Sequence, residues 1–238
     1  MIYSFDVFDT VVTRVVAHPT DIFLMIAQRI KQEGLGLADG FADDFMKIRM
    51  KCESEARKTN PGKEIKYVDI YARMAVDYEL AEETCDKISA IELDIESSAL
   101  TPIAWTIEKV AELRDKGNRI IFVSDMYLDE DFIRGILKSL GIYRNGDGLY
   151  VSSRTGLTKG SGRLYELILE KEGIPPVELC HCGDSLYSDI YVPAKMGINI
   201  YRTTAAKLRV LMYICRIYML AKMITRGAAK MLIPGRNA

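Results

Sequence analysis

Residues 119–124 read Arg-Ile-Ile-Phe-Val-Ser, an apolar run of strand length that ends in a hydroxyl side chain. Beyond this run, helix and strand patterns alternate as far as residue 201. The patterns predict helices through Gly141, at 161–172 and at 186–196, and strands at 148–152, 177–182 and 198–201. Continuous apolar strands that alternate with helices at this spacing are typical of parallel strands covered by helices. The sequence therefore predicts a Rossmann-like α/β core.

A long helical stretch separates the first strand of this core from the others. Ile2 to Phe5 form a short apolar run that ends next to Asp6, and no convincing strand interrupts residues 17–99. Within 17–99, a helix that begins next to Thr20 or Asp21 is followed by helical patterns at about 39–58, 66–78 and 81–97. We therefore predict a core domain of residues 1–16 and 100–204 and an all-helical cap domain inserted at 17–99.

The first predicted element of the core domain after the helical insert is a helix. Pro102 stands where the first residue of that helix is expected, and Lys116-Gly117 marks its end.

The charge of the chain is unevenly distributed. The net charge is −1, but nine of the 32 basic residues and none of the 33 acidic residues lie in 190–238. This asymmetry predicts an anionic partner for the basic segment and argues against a chain that binds nucleic acid over its whole length. The remaining composition, with 49% apolar and 27% charged residues, excludes a disordered or fibrous protein.

The basic segment is predicted to form a C-terminal amphipathic helix at about 205–226 within a unit of residues 205–238. Arg209 and Arg216 limit its longest uncharged run to six residues, which is too short to span a bilayer. We expect the helix to pack on the core or on a second subunit of a homodimer. Docking to a membrane surface or to a protein partner is the alternative.

The cysteines and the N-terminus indicate a cytoplasmic protein. Five cysteines without a Cys-x-x-Cys pair do not make a secreted disulfide framework or a structural zinc site. The first residues contain no apolar stretch of signal-peptide length.

Polar side chains follow the predicted strands at the edge where a parallel sheet binds its ligands. They are Asp6 after the first strand, Ser124 and Asp125 after the next, Lys159 between two glycines, and Gly183-Asp184 with Asp189 after the strand at 177–182. A carboxylate can attack phosphorus, while an ammonium group and Mg²⁺ offset the charge of a phosphate. The set therefore indicates phosphoryl transfer.

Four segments together resemble the haloacid dehalogenase-like (HAD) hydrolase superfamily. The first motif of the superfamily, Asp-x-Asp-x-Thr, is matched at Asp6 and Thr10, and its second motif, a strand that ends in Ser or Thr, is matched at Ser124. The third motif, a lone Lys, is matched at Lys159. The fourth motif, Gly-Asp with a further Asp, is matched at Gly183-Asp184 and Asp189. The order and spacing agree over residues 1–15 and about 100–202. The inserted helices resemble the cap of subfamily I.

The resemblance implies a role for each matched residue. Asp6 is expected to be the nucleophile, and Mg²⁺ is expected to bind Asp6, Asp184 and the backbone carbonyl of Phe8. Asp189 is expected to support the metal or to orient Lys159. Ser124 and Lys159 are expected to hold the phosphate, with Thr10 bracing the first loop and contributing to the substrate site. Apart from the resemblance, Asp125 and Arg14 are candidate substrate contacts because they closely follow the second and first motifs, and a salt-bridged loop arginine is the alternative for Arg14. The implied activity is a Mg²⁺-dependent phosphatase or phosphotransferase that forms an aspartyl phosphate.

The chain departs from the phosphatase pattern at Phe8, where phosphatases of the superfamily carry a second Asp that protonates the leaving oxygen. Asp9 is the nearest substitute if the loop turns it inward. Two other functions stay open: a binding module with little catalysis whose pocket takes a phosphorylated ligand or partner, and a metal-free 2-haloacid dehalogenase. Similarity of the first two motifs to HAD domains beside bacterial surface-polysaccharide glycosyltransferases suggests a sugar phosphate as ligand.

Three further side chains receive structural interpretations. Glu92 and Glu96 lie four residues apart on a cap helix, a spacing that predicts a solvated face. His181 is expected in a strand, pointing away from the neighbouring cysteines, and receives no catalytic role.

Overall fold

The computed structural model describes residues 1–201, so the helix and tail predicted at 205–238 lie outside the described residues. The elements follow in the order β1 Ile2–Asp6, β2 Val12–Arg14, α1 Ile22–Glu33, α2 Phe41–Thr59, α3 Tyr67–Asp77, α4 Glu82–Ala99, β3 Leu100–Pro102, α5 Ala104–Asp115, β4 Arg119–Ser124, α6 Glu130–Ser139, β5 Gly148–Val151, α7 Ser152–Thr155, α8 Arg163–Glu172, β6 Leu179–Cys182, α9 Val192–Lys195 and β7 Asn199–Ile200. One π-helical turn, Leu186–Tyr191, precedes α9. No helix of residues 1–201 has the length and apolarity needed to cross a membrane.

The core is a five-stranded parallel sheet with strand order β5-β4-β1-β6-β7. The central strand, β1, pairs Asp6 with Val123 of β4 and Phe5 with Cys182 of β6. All three strands are buried almost throughout, as expected for a parallel sheet covered on both faces. The predicted α/β core is confirmed, and this register places the ends of β1, β4 and β6 side by side.

One sequence prediction is wrong at Pro102. This residue ends β3, which pairs with β2 in a two-stranded antiparallel ribbon, and α5 begins two residues later at Ala104. A ribbon edge needs no donor from the proline, and the following amide of Ile103 donates to the carbonyl oxygen of Val11 instead. The ribbon was not predicted because a three-residue strand carries too little periodicity. It joins the two chain segments that lead into and out of the cap helices.

The insert between β2 and β3 is helical, as predicted. Helices α1 to α4 pack their apolar faces together, and Phe45 at their centre contacts the rings of Phe23 and Phe41 edge-on or tilted. The cap also contacts the core directly, because the amide of Tyr67 donates to the carbonyl oxygen of Tyr127, 2.8 Å away in the loop after β4. The cap helices therefore lie over the carboxyl edge of the sheet.

The interior of the cap contains a fully buried arginine. Arg49 donates from Nε and from one terminal nitrogen to the two carboxylate oxygens of Glu92, at 2.8 and 2.9 Å, and also contacts Glu53. The Tyr71 hydroxyl donates to Glu92 at 2.7 Å. The predicted solvated face of Glu92 and Glu96 is wrong: both side chains are buried and each binds an arginine.

We expect Arg49→Met to lower the free energy of unfolding by about 3–5 kcal/mol, because it leaves Glu92 charged and buried without its cation. Urea unfolding followed by circular dichroism measures the change. The matched double variant Arg49→Met with Glu92→Gln removes both charges and keeps an acceptor for Tyr71. We expect it to be more stable than the single variant. Equal stability of the two variants would contradict the buried ion pair.

Candidate active site

The carboxyl edge of the sheet brings together side chains that are far apart in the sequence. Asp6 is the last residue of β1 and Ser124 the last residue of β4, and β6 leads directly into Gly183-Asp184. Asp6 and Ser124 are buried, while Asp184 is half-buried. The sheet register described above accounts for their proximity.

Lys159 lies at the centre of this edge. Its Nζ donates to Oδ1 of Asp6 and to Oδ1 of Asp189, at 2.6 Å each. Burial alone would lower the pKa of Lys159, but the two carboxylates hold it well above its usual value. The ammonium group is thus charged and fixed between two acids.

The two carboxylates on Lys159 differ in their protonation. Burial raises the pKa of Asp6 to about 8, against the effect of Lys159, and the nearby charges of Asp189 and Asp184 add to the rise. Burial also acts on Asp189, but there Lys159 and His181 prevail and lower the pKa of its carboxyl group. A further positive charge near Asp6 is therefore needed to ionise its carboxyl group.

The donor set at this position fits a divalent metal ion. Asp6, Asp184 and Asp189 each offer a carboxylate oxygen, and these atoms lie within 4.8 Å of one another. With all three carboxylates ionised, the cluster and the one ammonium group would carry two net negative charges, which one Mg²⁺ ion would neutralise. Carboxylate oxygens are the ligands that Mg²⁺ prefers. Metal binding by these residues and by the Phe8 carbonyl stays a prediction.

Asp125 stabilises the loop that carries Lys159. Its carboxylate accepts hydrogen bonds from the backbone amide of Lys159 at 2.8 and 2.9 Å and from that of Gly160 at 3.4 Å. This contact was not foreseen, because the sequence suggested only a substrate contact for Asp125. It fixes the backbone on which the ammonium group is carried.

The loop after β1 contains the remaining predicted side chains. Asp9 adopts a left-handed conformation with φ of 59° and accepts a hydrogen bond from the hydroxyl of Thr13 at 2.8 Å. The Thr10 hydroxyl is buried and has no hydrogen-bond partner within residues 1–201. An orphaned buried hydroxyl in this loop is consistent with a group that is completed by a ligand.

Arg14 and Phe8 form a stack with the cap. The guanidinium of Arg14 lies 5.0 Å from the ring centroid of Phe8 and binds Glu96 of α4, with a closest distance of 2.6 Å. Both charged side chains are buried. The arginine predicted as a substrate contact is therefore paired with a cap carboxylate, above the residue that departs from the phosphatase pattern.

Sequence reasoning missed the part that His181 and Gly183 play around Asp189. The ring of His181 is buried and contacts Asp189, and a Cβ on Gly183 would lie 2.4 Å from Cγ of Asp189. The signal for His181 was available, because strand alternation places it on the same face as Ser4 and Asp6 of the neighbouring strand.

The parallel sheet and the helical insert over its carboxylate-lined edge define the class of this α/β fold. Within that class the fold is similar to that of solved haloacid dehalogenase-like enzymes, as the sequence resemblance predicted. Solved structures of HAD enzymes match most of the chain. No protein-family model and no curated protein matches the sequence.

Three of these structures illustrate the similarity. The 2-haloacid dehalogenase of Pseudomonas syringae pv. Tomato DC3000 matches with a TM-score of 0.60 and 13% identity, over 84% of each chain. A mutant of the HAD family enzyme bt-2542 of Bacteroides thetaiotaomicron, in complex with magnesium and inorganic phosphate, matches at 0.57 and 14%, over 86% of this chain and 94% of that one. The HAD-hydrolase YfnB of Bacillus subtilis, bound to magnesium, matches at 0.55 and 16%, over 84% and 86%. At these identities the similarity concerns the fold.

Proposed function

We propose that the protein is a Mg²⁺-dependent HAD-like hydrolase, a phosphatase or phosphotransferase that acts on a small phosphorylated metabolite through an aspartyl phosphate on Asp6. The observation that carries this proposal is the contact of Lys159 with Asp6 and Asp189 inside a cluster of three carboxylates. A single ammonium group beside a buried carboxylate is the arrangement that lets an anionic nucleophile approach an anionic phosphate.

The reaction begins with attack of an Asp6 carboxylate oxygen on phosphorus. A bond from Asp6 to phosphorus forms, and the bond from phosphorus to the leaving oxygen breaks with its electron pair. Lys159 and the Ser124 hydroxyl hold the phosphoryl oxygens during this exchange, and Asp125 keeps the Lys159 loop in place. The oxygen of water or of an acceptor hydroxyl then bonds to phosphorus, the bond from Asp6 to phosphorus breaks and restores the carboxylate, and the proton of the attacking hydroxyl passes to solvent.

A magnesium ion held by Asp6, Asp184 and Asp189 would neutralise charge on the phosphate and on the nucleophile. The magnesium-bound structures of YfnB and bt-2542, which share this fold, support that choice of metal.

The side chain at position 8 restricts the substrates. A phenyl ring cannot give a proton to the leaving oxygen, so we propose substrates with a good leaving group, such as an acyl phosphate. Asp9 is the candidate for a substitute acid in the same loop. A sugar phosphate remains the proposed natural ligand class on the sequence resemblance described above.

We expect the purified protein to release phosphate from acetyl phosphate in MgCl₂ and to lose this activity in excess EDTA, with recovery when MgCl₂ is restored. The reason is that the carboxylate cluster has uncompensated negative charge without the ion. A phosphate-release assay measures it, with p-nitrophenyl phosphate as a second activated substrate. Activity that is unchanged in EDTA would contradict the metal assignment.

Experiment distinguishes this proposal from two other functions. Dehalogenases are among the matching structures, and that activity predicts halide release from 2-chloropropionate without added metal. A binding module predicts tight binding of sugar phosphates in calorimetry without turnover. The cluster of Asp6, Asp184 and Asp189 favours the metal-dependent reaction over the metal-free dehalogenase.

The remaining assignments are proposals drawn from the sequence. We propose a cytoplasmic protein that takes a small-molecule substrate and no nucleic acid. We also propose that residues 17–99 act as a cap domain on a core of 1–16 and 100–204. The basic segment at 205–238 is proposed to contact a second subunit, a protein or a membrane surface.

A further inference from the structure

The imidazole of His181 lies in the middle of β6 with a polar atom at each ring nitrogen. Nδ1 is 2.8 Å from the hydroxyl oxygen of Ser4 in β1, and Nε2 is 3.1 Å from Oδ1 of Asp189. The ring is fully buried, and Tyr165 packs edge-on against it with 5.2 Å between ring centroids. An interior strand of a parallel sheet normally carries apolar side chains, so a polar imidazole ring in β6 needs an explanation.

The contacts determine which ring nitrogen carries the proton. The carboxylate of Asp189 only accepts hydrogen bonds, so Nε2 donates to it. The Ser4 hydroxyl at Nδ1 can donate as well as accept, so a neutral ring with its proton on Nε2 satisfies both ring nitrogens. Nδ1 of the neutral ring then accepts the hydrogen bond that the Ser4 hydroxyl donates. Ser4 thereby fixes the tautomer that points a donor at Asp189.

Asp189 is fixed on every side. Its Oδ1 lies between Nε2 of His181 and Nζ of Lys159, and its Oδ2 accepts from the amide of Ser185 at 3.0 Å. The backbone at Gly183 approaches so closely that a Cβ there would lie 2.6 Å from Oδ2. Asp189 in turn determines where the Lys159 ammonium group lies relative to Asp6.

We propose that His181 is a positioning residue: through Asp189 it holds the Lys159 ammonium group against Asp6. The contacts form one continuous series, from Ser4 to His181, to Asp189, to Lys159 and to Asp6. The proposal rests on the proposed phosphoryl transfer at Asp6 and adds to it a residue that does not touch the substrate.

The pair His181→Gln and His181→Asn tests this directly. A Gln amide nitrogen reaches the position of Nε2 and can still donate to Asp189, whereas the shorter Asn amide reaches only the position of Nδ1. We expect His181→Asn to lower kcat for acetyl phosphate in MgCl₂ by about 10–100-fold, the usual effect of losing a partner behind a site residue. We expect His181→Gln to recover most of that loss. Equal kcat values in the two variants, with both folded by circular dichroism, would overturn the proposal.

A second measurement does not depend on activity. The chain has only two histidines, and His18 is exposed, so ¹⁵N labelling of histidine gives one buried and one exposed ring signal. We expect the buried ring to show the tautomer protonated at Nε2, and we expect its Nε2 signal to shift in Asp189→Asn. A ring protonated at Nδ1, or a signal that Asp189→Asn leaves unchanged, overturns the proposal. A wild-type protein without phosphatase activity refutes the proposed function, and the ring signals then decide separately on the positioning contact.

Discussion

Asp6→Asn is expected to abolish phosphate release from acetyl phosphate, with kcat falling by about 10⁴–10⁶-fold, as on loss of other covalent nucleophiles. The amide of Asn cannot form an acyl phosphate, and it also replaces the carboxyl group that Lys159 contacts at 2.6 Å. Phosphate release in MgCl₂ measures the loss. Acid quenching after mixing with radiolabelled acetyl phosphate should trap a phosphorylated wild-type protein and none in the variant.

The same variant should stay folded, which separates lost chemistry from lost structure. Burial raises the pKa of Asp6 to about 8, so at neutral pH the folded state keeps this carboxyl largely neutral whereas the unfolded chain ionises it, and this difference costs stability. A neutral Asn removes that cost. An acidic group whose pKa is raised on folding lowers the stability of the protein as the pH rises above the pKa of that group in the unfolded chain. We expect a Tm no lower than that of the wild type. Asp131→Asn, the same change on an 86% exposed side chain, is the control and should keep full activity.

Retention of activity in Asp6→Asn would remove the covalent mechanism, whatever the fold of the protein. A variant that loses both activity and its folded circular dichroism spectrum would show instead that the contact between Asp6 and Lys159 is needed for folding. The Asp131→Asn control guards against a general effect of replacing an acid by an amide.

The sequence was sufficient to predict which side chains meet at the sheet edge. A run such as 119–124 is long and apolar enough to be recognised as a buried strand, and in a parallel sheet the residue after each strand lies at one edge. That rule alone predicted that Asp6, Ser124 and Asp184 lie close together. The helical insert was equally clear, because its helices are long and end at glycine or at turn residues.

The pairing of buried charges could not be predicted. Glu92 and Glu96 show the spacing of a solvated helix face, and they are buried because Arg49 and Arg14 reach them from elements far away in the sequence. Helical periodicity reports which residues share a face, but not which partner covers that face. His181 was undervalued for a similar reason, since its two partners come from β1 and from the turn after β6.

Phe8→Asp is expected to widen the range of substrates. The new carboxylic acid can protonate a poor leaving group, and general acid catalysis of this kind contributes about 10²–10⁴-fold. The guanidinium of Arg14 lies 5.0 Å from the Phe8 ring and would stabilise the ionised form of the new group, which lowers its pKa and leaves less of it protonated to act as the general acid. We therefore expect kcat/KM for an alkyl ester such as glucose 6-phosphate to rise by about 10²-fold, at the lower end of that range.

The pattern across substrates identifies the cause of such a gain. Acetyl phosphate has a leaving group that needs no proton, so its kcat/KM should change by less than about 3-fold in Phe8→Asp. Phe8→Asn is the matched control. The Asn side chain has nearly the same size as that of Asp and also removes the ring from under Arg14, but it provides no acid. If both variants raise the rate for glucose 6-phosphate equally, the gain comes from space in the pocket. A gain confined to Phe8→Asp and to the poor leaving group means that the ring at position 8 is what limits this site to activated phosphates.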